Sequence, residues 1–251
     1  MLEQPISEAA ATALAQRTDF LWHQRFELHP GIFTPGVSDV AMLLTRAGVP
    51  ADLSGASVLD IGATNGGTAF ALEQRGATDV TAIDIYDADR FGFSVIRDAL
   101  GSRATFRRMS VYELSARMER KFDVVIFWGV LYHLRHPLLA LDNVRAVTAG
   151  HAYIETAVSD HETAQYGELP VTRFYRYDEL GGDGSNWFAP TVRTLLDWCL
   201  SCGLEPDSVE SWPKELPIRT MVAASVTAGV PEYQTMSYEQ ALLCSVAAPD
   251  Q

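Results

Sequence analysis

Lysine is nearly missing from this chain. Only Lys121 and Lys214 stand against seventeen arginines, and none precedes position 121. A phosphate-binding loop of the Gly-Lys-Ser/Thr type therefore has no lysine in the first 120 residues. Basic charge is scarce altogether: 19 Lys plus Arg face 32 Asp plus Glu, giving a formal net charge of −13 and a pI of about 4.8. A large nucleic-acid footprint needs phosphate-neutralising cations, so nucleic acid is an unlikely partner on charge alone. Cysteine is scarce too, with three residues, Cys199, Cys202 and Cys244, all late in the chain. Cys199 and Cys202 form a C-x-x-C, but no second pair exists and no histidine follows at zinc-finger spacing. Their spacing of three on a predicted helix puts both on one face, as core thiols. No apolar run approaches a membrane span, and Met1-Leu2-Glu3-Gln4-Pro5 lacks the basic-then-apolar order of a secretory signal. Cytoplasmic residence without membrane attachment is the expectation. Repeats and low-complexity segments are absent.

What is present is a hydrophobic fraction of 47%, enough for a sizeable core, and one stretch that orders the rest. Residues 57–67 read Ser-Val-Leu-Asp-Ile-Gly-Ala-Thr-Asn-Gly-Gly, a short apolar run that ends around an acid and turns through glycines into a helical segment. This is a buried strand, a tight loop and a helix start. Three ligands compete for such a loop. A dinucleotide wants G-x-G-x-x-G, where Gly62 and Gly67 fit but Thr64 takes the middle glycine's place. A P-loop fails for want of lysine. A nucleoside with a charged amino-acid tail fits best: Asp60, two residues before Gly62, repels a pyrophosphate and pairs with an ammonium. The next strand, Val80-Thr81-Ala82-Ile83-Asp84, ends in a second acid 24 residues after Asp60, placed to accept ribose hydroxyls. The bland alternative is a glycine-rich turn in an α/β domain that binds no cofactor.

From Ser57 onward the chain alternates strand and helix. Strands are predicted at 57–61, 79–84, 104–109, 122–128, 150–157, 205–212 and 218–227, and helices at 67–75, 89–100, 137–147 and 190–202. Gly76, Gly101, Gly150 and Gly203 follow successive helices. The fold class is therefore α/β, a doubly wound, seven-stranded, mostly parallel sheet. Residues 1–50 form an N-terminal arm, with an Ala-rich helix behind a Ser7 cap and a second helix from Val37 to Ala47. Residues 51–227 form the sheet domain. Within it 159–189 is an insertion of a length usual for a lid. Residues 228–251 form a tail with one short helical stretch, Ser237 to Leu243. Residues 1–20 and 228–251 offer a homodimer contact.

Ligands of doubly wound sheets bind at the carboxyl ends of the strands, near the topological switch point. The fourth predicted strand of this domain opens into Gly129-Val130-Leu131-Tyr132-His133-Leu134-Arg135-His136-Pro137, so Tyr132, His133 and Arg135 face the reactive end of a bound nucleoside. The insertion carries Tyr175, Asn186 and Trp187 as candidate substrate contacts, and the arm offers Trp22 and His23. If the chemistry there takes a proton from a hydroxyl, a base is needed. His133 is the first choice because imidazole titrates near neutral pH, with Tyr132, His23 and Glu155 in reserve. A divalent metal would need ligands such as Glu155, Asp178, Asp183 and His161, which no spacing signature groups.

The glycine loop, the stretch Phe127-Trp128-Gly129-Val130-Leu131-Tyr132-His133-Leu134-Arg135-His136-Pro137-Leu138 and Asn186-Trp187-Phe188-Ala189-Pro190 together resemble one branch of the class I S-adenosylmethionine-dependent methyltransferases. It is the family that includes the bacterial tRNA wobble-uridine carboxymethyltransferase. The resemblance covers roughly residues 20–225 and implies a Rossmann-like methyltransferase fold with S-adenosylmethionine as cofactor. Asp60, Gly62, Thr64 and Gly66 would hold the methionine part, and Asp84 and Ile85 the ribose side. Ser110, Val111 and Tyr112 would border the adenine, and Phe127 would lie near the cofactor. Tyr132 matches a tyrosine beside the transferred group. Arg219 matches an arginine that pairs with the extra carboxylate of carboxy-S-adenosylmethionine. Two features depart from that enzyme: Thr64 replaces the middle glycine, and the lysines of its longer N-terminal region have no counterpart. The expectation is methyl transfer to a hydroxyl of a small molecule or glycoside. Modification of tRNA, with an arginine surface built from Arg103, Arg107, Arg108, Arg117 and Arg120, and a non-catalytic scaffold stay open.

Overall fold

A computed structural model describes residues 6–167 and 169–227. The Ser237–Leu243 stretch and Cys244 lie outside the described residues. In chain order the elements are α1 (Glu8–Ala15), β1 (Gln24–Arg25), β2 (Glu27–His29), β3 (Ile32–Phe33), β4 (Ser38–Asp39), α2 (Val40–Arg46), β5 (Ser57–Ile61), α3 (Gly67–Gln74), β6 (Asp79–Asp84), α4 (Phe93–Leu100), β7 (Thr105–Arg108) and α5 (Leu114–Arg117). There follow β8 (Phe122–Trp128), α6 (Pro137–Val147), β9 (Thr148–Ala157), α7 (Asp160–Thr163), β10 (Thr172–Phe174), β11 (Phe188–Pro190), α8 (Val192–Ser201), β12 (Leu204–Trp212) and β13 (Arg219–Val226).

Seven strands make the main sheet in the order β12-β13-β9-β8-β5-β6-β7. Pairings β5–β6, β6–β7, β5–β8 and β8–β9 are parallel, whereas β9–β13 and β13–β12 are antiparallel. The mostly parallel sheet expected from the alternation is present, closed by an antiparallel pair. β5 is central: the chain winds outward from it through β6 and β7, then returns to its other side through β8 and β9. The switch point therefore lies between the loops that follow β5 and β8.

Strand periodicity splits the core in two. Val58, Val80, Ala82, Val124, Ile126, Tyr153, Met221 and Ala223 pack with α2, α3, α4 and the arm. Their neighbours Leu59, Ile61, Ile83, Val125, Phe127, Ile154 and Val222 pack with α5, α6 and α8. Central strands buried on both faces read as continuous apolar runs, which is why 57–61 and 122–128 were legible as such. Local signals agree. The Ser7 hydroxyl accepts from the Ala10 N–H at the start of α1, and Thr191 caps α8 in the same way. Helix α4 starts at Phe93, four residues later than the pattern suggests, because Gly92 enters the left-handed region and 87–92 turns. Cys199 and Cys202 are free and buried on one side of α8; burial pushes the Cys199 thiol up to about 12. Among the described residues no helix is long and apolar enough to cross a membrane.

The arm is more than a helix pair. Residues 24–39 form two small strand pairs, β1 with β4 and β2 with β3. Thr34 holds them together, accepting from the Phe26 N–H and donating to the Gln24 carbonyl. Gly36 lies against the Gln24 backbone so closely that a Cβ has no room. Within the described residues of the insertion, α7 is followed by the antiparallel pair β10–β11, and β11 leads directly into α8.

Candidate active site

Alternation along the strands builds the site. Asp60, Trp128, Glu155 and Arg219 lie on the same face of adjacent strands, each an even number of residues from a core residue on the α2–α3 side. Register sets Trp128 beside Glu155, and Arg219 beside Trp212 on the edge strand. At the carboxyl edge of the sheet these side chains line a cleft of about 240 Å³, together with His23, Gln24, Asp39, Gly62, Thr68, Gly129 and Tyr132. The arm and α2 form its opposite wall through Val37, Met42 and Leu43.

The glycine loop keeps its shape despite Thr64. Gly62 and Gly66 have positive φ, and Thr64 adopts φ 45°, the conformation a glycine would take. A Cβ on Gly62 would collide with Val130, so the two switch-point loops are in contact. Asn65 is wholly buried and does what sequence reasoning missed. Its Oδ1 accepts from the His23 and Gln24 N–H groups, and its Nδ2 donates to the Leu21 and Phe91 carbonyls. Gln24 completes the clasp: its Oε1 accepts from the Gly67 N–H at 2.7 Å and its Nε2 donates to Thr68. The N–H groups at the start of α3 are thus partly spent on the arm. A polar residue between the loop glycines was the one available signal.

Two buried polar atoms facing the cleft have no hydrogen-bond partner among the described residues, Asp60 Oδ2 and Trp128 Nε1. Native structures rarely leave such atoms unpaired without a ligand to satisfy them. Burial pushes the Asp60 carboxyl up to about 7; the Ala69 backbone N–H opposes this and the nearby Asp84 adds to it. Asp84, also buried, accepts from the Thr64 N–H at 3.1 Å and the Tyr86 N–H at 3.0 Å. Ile85 beside it is 57% exposed, an uncovered apolar surface at the strand end. Ser110 closes a capping box with Glu113, Val111 turns into the core, and the Tyr112 hydroxyl accepts from the His136 N–H. The residues expected around a nucleoside are therefore in sequence along the sheet edge, outside the cleft itself.

Arg219 and Glu155 form a two-pronged ion pair, Nε–Oε1 2.5 Å and Nη2–Oε2 2.7 Å, and Glu155 also accepts from the Gly129 N–H. The Arg219 guanidinium lies 4.9 Å from the Tyr132 ring centre. His23 keeps an exposed edge at the mouth of the cleft; the surrounding protein, then Arg219, holds its pKa below the ordinary imidazole value. His133 is half-buried and lies against Tyr132, the two rings tilted by 42° with centres 4.3 Å apart. Burial lowers its pKa as well, opposed by Asp183 and the Ser185 backbone.

Three expected contacts are corrected. Phe127 is fully buried on the α6 side, since strand alternation turns it away from Asp60; Trp128 takes the cleft position. Trp22 donates its indole N–H to the Arg17 carbonyl and packs edge-on against Phe20, within the arm. Tyr175 is fully buried beneath the insertion, where its hydroxyl donates to Glu162. The insertion reaches the site by other residues. The Trp187 N–H donates to the Tyr132 carbonyl at 2.8 Å, Arg135 stacks over the Trp187 ring, and Asn186 Nδ2 donates to the Leu180 carbonyl. Among the described residues no group of three or more His, Cys, Asp or Glu side chains is arranged to hold a metal.

Comparison with known proteins agrees with this geometry. The family model described as a methyltransferase domain matches residues 22–209. The tRNA U34 carboxymethyltransferase of Saccharophagus degradans is 29% identical over 160 residues, covering 62% of this chain and 46% of that protein. Its counterpart in Marinobacter nauticus is 32% identical over 151 residues, covering 59% of this chain and 43% of that protein. The chain thus spans less than half the length of these relatives. Among solved structures, the N-terminal domain of EvdMO1, determined in the presence of S-adenosylhomocysteine and D-fucose, superposes with a TM-score of 0.61 at 19% identity, covering 86% of this chain and 94% of that one. The Burkholderia thailandensis 1,6-didemethyltoxoflavin-N1-methyltransferase superposes at 0.55 with 24% identity, covering 75% and 76%. A match over 22–209, together with this sheet order and loop geometry, makes the chain a member of the methyltransferase-domain family.

Proposed function

We propose that the chain binds S-adenosylmethionine and transfers its methyl group to a hydroxyl of a small molecule or glycoside. The observation that carries the cofactor assignment is the unpartnered Asp60 Oδ2 near the end of β5, in a cleft that Gly62 also lines. An ammonium supplies the partner this atom lacks. Thr64 in a glycine conformation keeps the cradle open, and Asp84 retains lone pairs beside an uncovered Ile85. When bound, the sulfonium supplies an already electrophilic methyl group. The chain's residues then have to align an acceptor oxygen, exclude water and remove a proton. Tyr132, packed between Arg219 and His133, positions the acceptor; His133 takes the proton, with His23 at the cleft mouth as the competing base. Calorimetry with S-adenosylmethionine and carboxy-S-adenosylmethionine tests the assignment. Micromolar binding of the first without preference for the second supports it, and binding of neither refutes it.

The relatives' names favour a second reading, carboxymethyl transfer to tRNA, and Arg219 in the cleft is its best residue. Two features weigh against it. Arg219 is already paired with Glu155, leaving little positive charge for a second carboxylate. The arginine surface that reading needs is also largely neutralised: Arg103 pairs with Glu73, Arg108 with Asp87, Arg117 with Glu113 and Arg120 with Asp79. Strong calorimetric preference for the carboxylated cofactor would reverse this judgement.

A further inference from the structure

The insertion touches the proposed base through a three-residue chain that no part of the methyl-transfer reading requires. The Ser185 hydroxyl donates to Asp183 Oδ1 at 2.7 Å, and the same Oγ lies 2.9 Å from His133 Nδ1. A serine hydroxyl has one proton to give. With that proton on the Asp183 side, Ser185 Oγ meets His133 only as an acceptor, so Nδ1 must carry the hydrogen. Neutral imidazole has one N–H, so Nε2 is left with its lone pair. Asp183 is held ionised, its pKa lowered by the Ser185 hydroxyl and N–H, so it stays an acceptor at neutral pH. The orientation of the chain is therefore fixed at its acidic end.

We propose that Asp183 and Ser185 of the insertion are positioning residues that select the Nδ1–H tautomer of His133 and so present Nε2 as the proton acceptor. This rests on His133 as the base. It makes ordering of the insertion a condition for catalysis, because Asp183 and Ser185 sit just before Trp187, whose N–H bonds the Tyr132 carbonyl. Free imidazole prefers the opposite tautomer, so an insertion that lifts away switches the base off while leaving the glycine loop untouched. The groups that bear on the ring are Tyr132 tilted against it, Asp183 and Ser185 from the insertion, Arg219 from β13 and His23 from the arm. Of these, Asp183 favours the protonated ring, and Arg219 and His23 disfavour it.

The test is nitrogen NMR of ring-labelled histidine in the intact chain above the His133 titration, for wild type, Ser185→Ala, Ser185→Thr and Asp183→Asn. Both altered residues are exposed, so the fold is retained. Wild type and Ser185→Thr should show His133 as Nδ1–H. Ser185→Ala and Asp183→Asn should move most of the population to Nε2–H, and Asp183→Asn should also lower the pH at which His133 titrates. S-adenosylhomocysteine formed against a panel of sugars and phenols should fall at least tenfold in the alanine and asparagine variants, with S-adenosylmethionine affinity unchanged. An Nε2–H ring in wild type, or a tautomer indifferent to both variants, overturns the proposal. An Nδ1–H ring that responds as stated, combined with full turnover in His133→Ala, overturns instead the assignment of His133 as base.

Discussion

Asp60 should make the protein less stable as pH rises, and its replacement should show by how much. Its carboxyl titrates at about 7 in the fold against an ordinary value of 3.8. For an acid whose folded pKa is raised, the unfolded chain releases its proton first. Stability therefore falls as pH climbs from about 4 to about 7 and is level above that. The gap corresponds to roughly 4 kcal/mol at pH 8, as an order of magnitude. Asp60→Asn removes the ionisation, so it should match wild type near pH 4 and exceed its stability by a few kcal/mol at pH 8. Denaturant titration across that range measures the difference. The same substitution should cost cofactor affinity. An ammonium ligand needs the ionised carboxylate, so in wild type binding should tighten about tenfold per pH unit up to about 7, with one proton released. Calorimetry in buffers of different ionisation enthalpy counts that proton. If Asp60→Asn is no more stable than wild type at pH 8 and wild-type affinity is flat with pH, then Asp60 is ionised and solvated, and the ligand assignment built on it fails.

Other positions separate support from chemistry. Phe127→Ala should cost about 3–5 kcal/mol by denaturation, as a large core truncation does, while the folded fraction keeps its cofactor affinity. Asn65→Ala strands the His23 and Gln24 N–H groups; a loss of about 3 kcal/mol and faster proteolysis within residues 17–36 should follow, read by denaturant titration and limited trypsin digestion. Glu155→Gln releases Arg219 from its partner. It should destabilise the fold by about 2–3 kcal/mol, less than a fully buried pair because Arg219 keeps solvent access, and should shift calorimetric preference toward the carboxylated cofactor about tenfold. Thr64→Gly relieves a left-handed β-branched residue and an unpaired hydroxyl, so it should raise stability by about 1 kcal/mol and leave binding intact.

What the sequence exposed and what it hid follow from the range of the forces involved. The central strands, the helices behind them and the acid-loop-acid pattern were legible because each is written within a few residues: an apolar run, a cap, a glycine stop. The antiparallel β12–β13 closure was not, because nothing local distinguishes a strand that runs back from one that crosses over. Phe127 shows where local reading misleads. It stands next to the loop that carries Tyr132, and the family resemblance put it near the cofactor. Side-chain alternation decides otherwise: Asp60 opposes Ile126 in register, so Asp60, Ile126 and Trp128 share a face and Phe127 does not. Two adjacent aromatics at a strand end can be told apart only when the partner strand's register is known. Tyr175 and Trp22 failed for a related reason. An aromatic with a polar tip suits a pocket wall and a small satellite core equally, and the choice rests on whether Glu162 or the Arg17 carbonyl is within reach. Asn65 went unread, although its place between the loop glycines was the one available signal. A buried amide bonds with both its ends, so a loop that places one between glycines is built to grip another segment of chain as well as a ligand. The arm it grips carries His23 to the cleft. The glycine loop and the segment that carries His23 are consequently held together by the Asn65 and Gln24 side chains, in a way neither segment reveals alone.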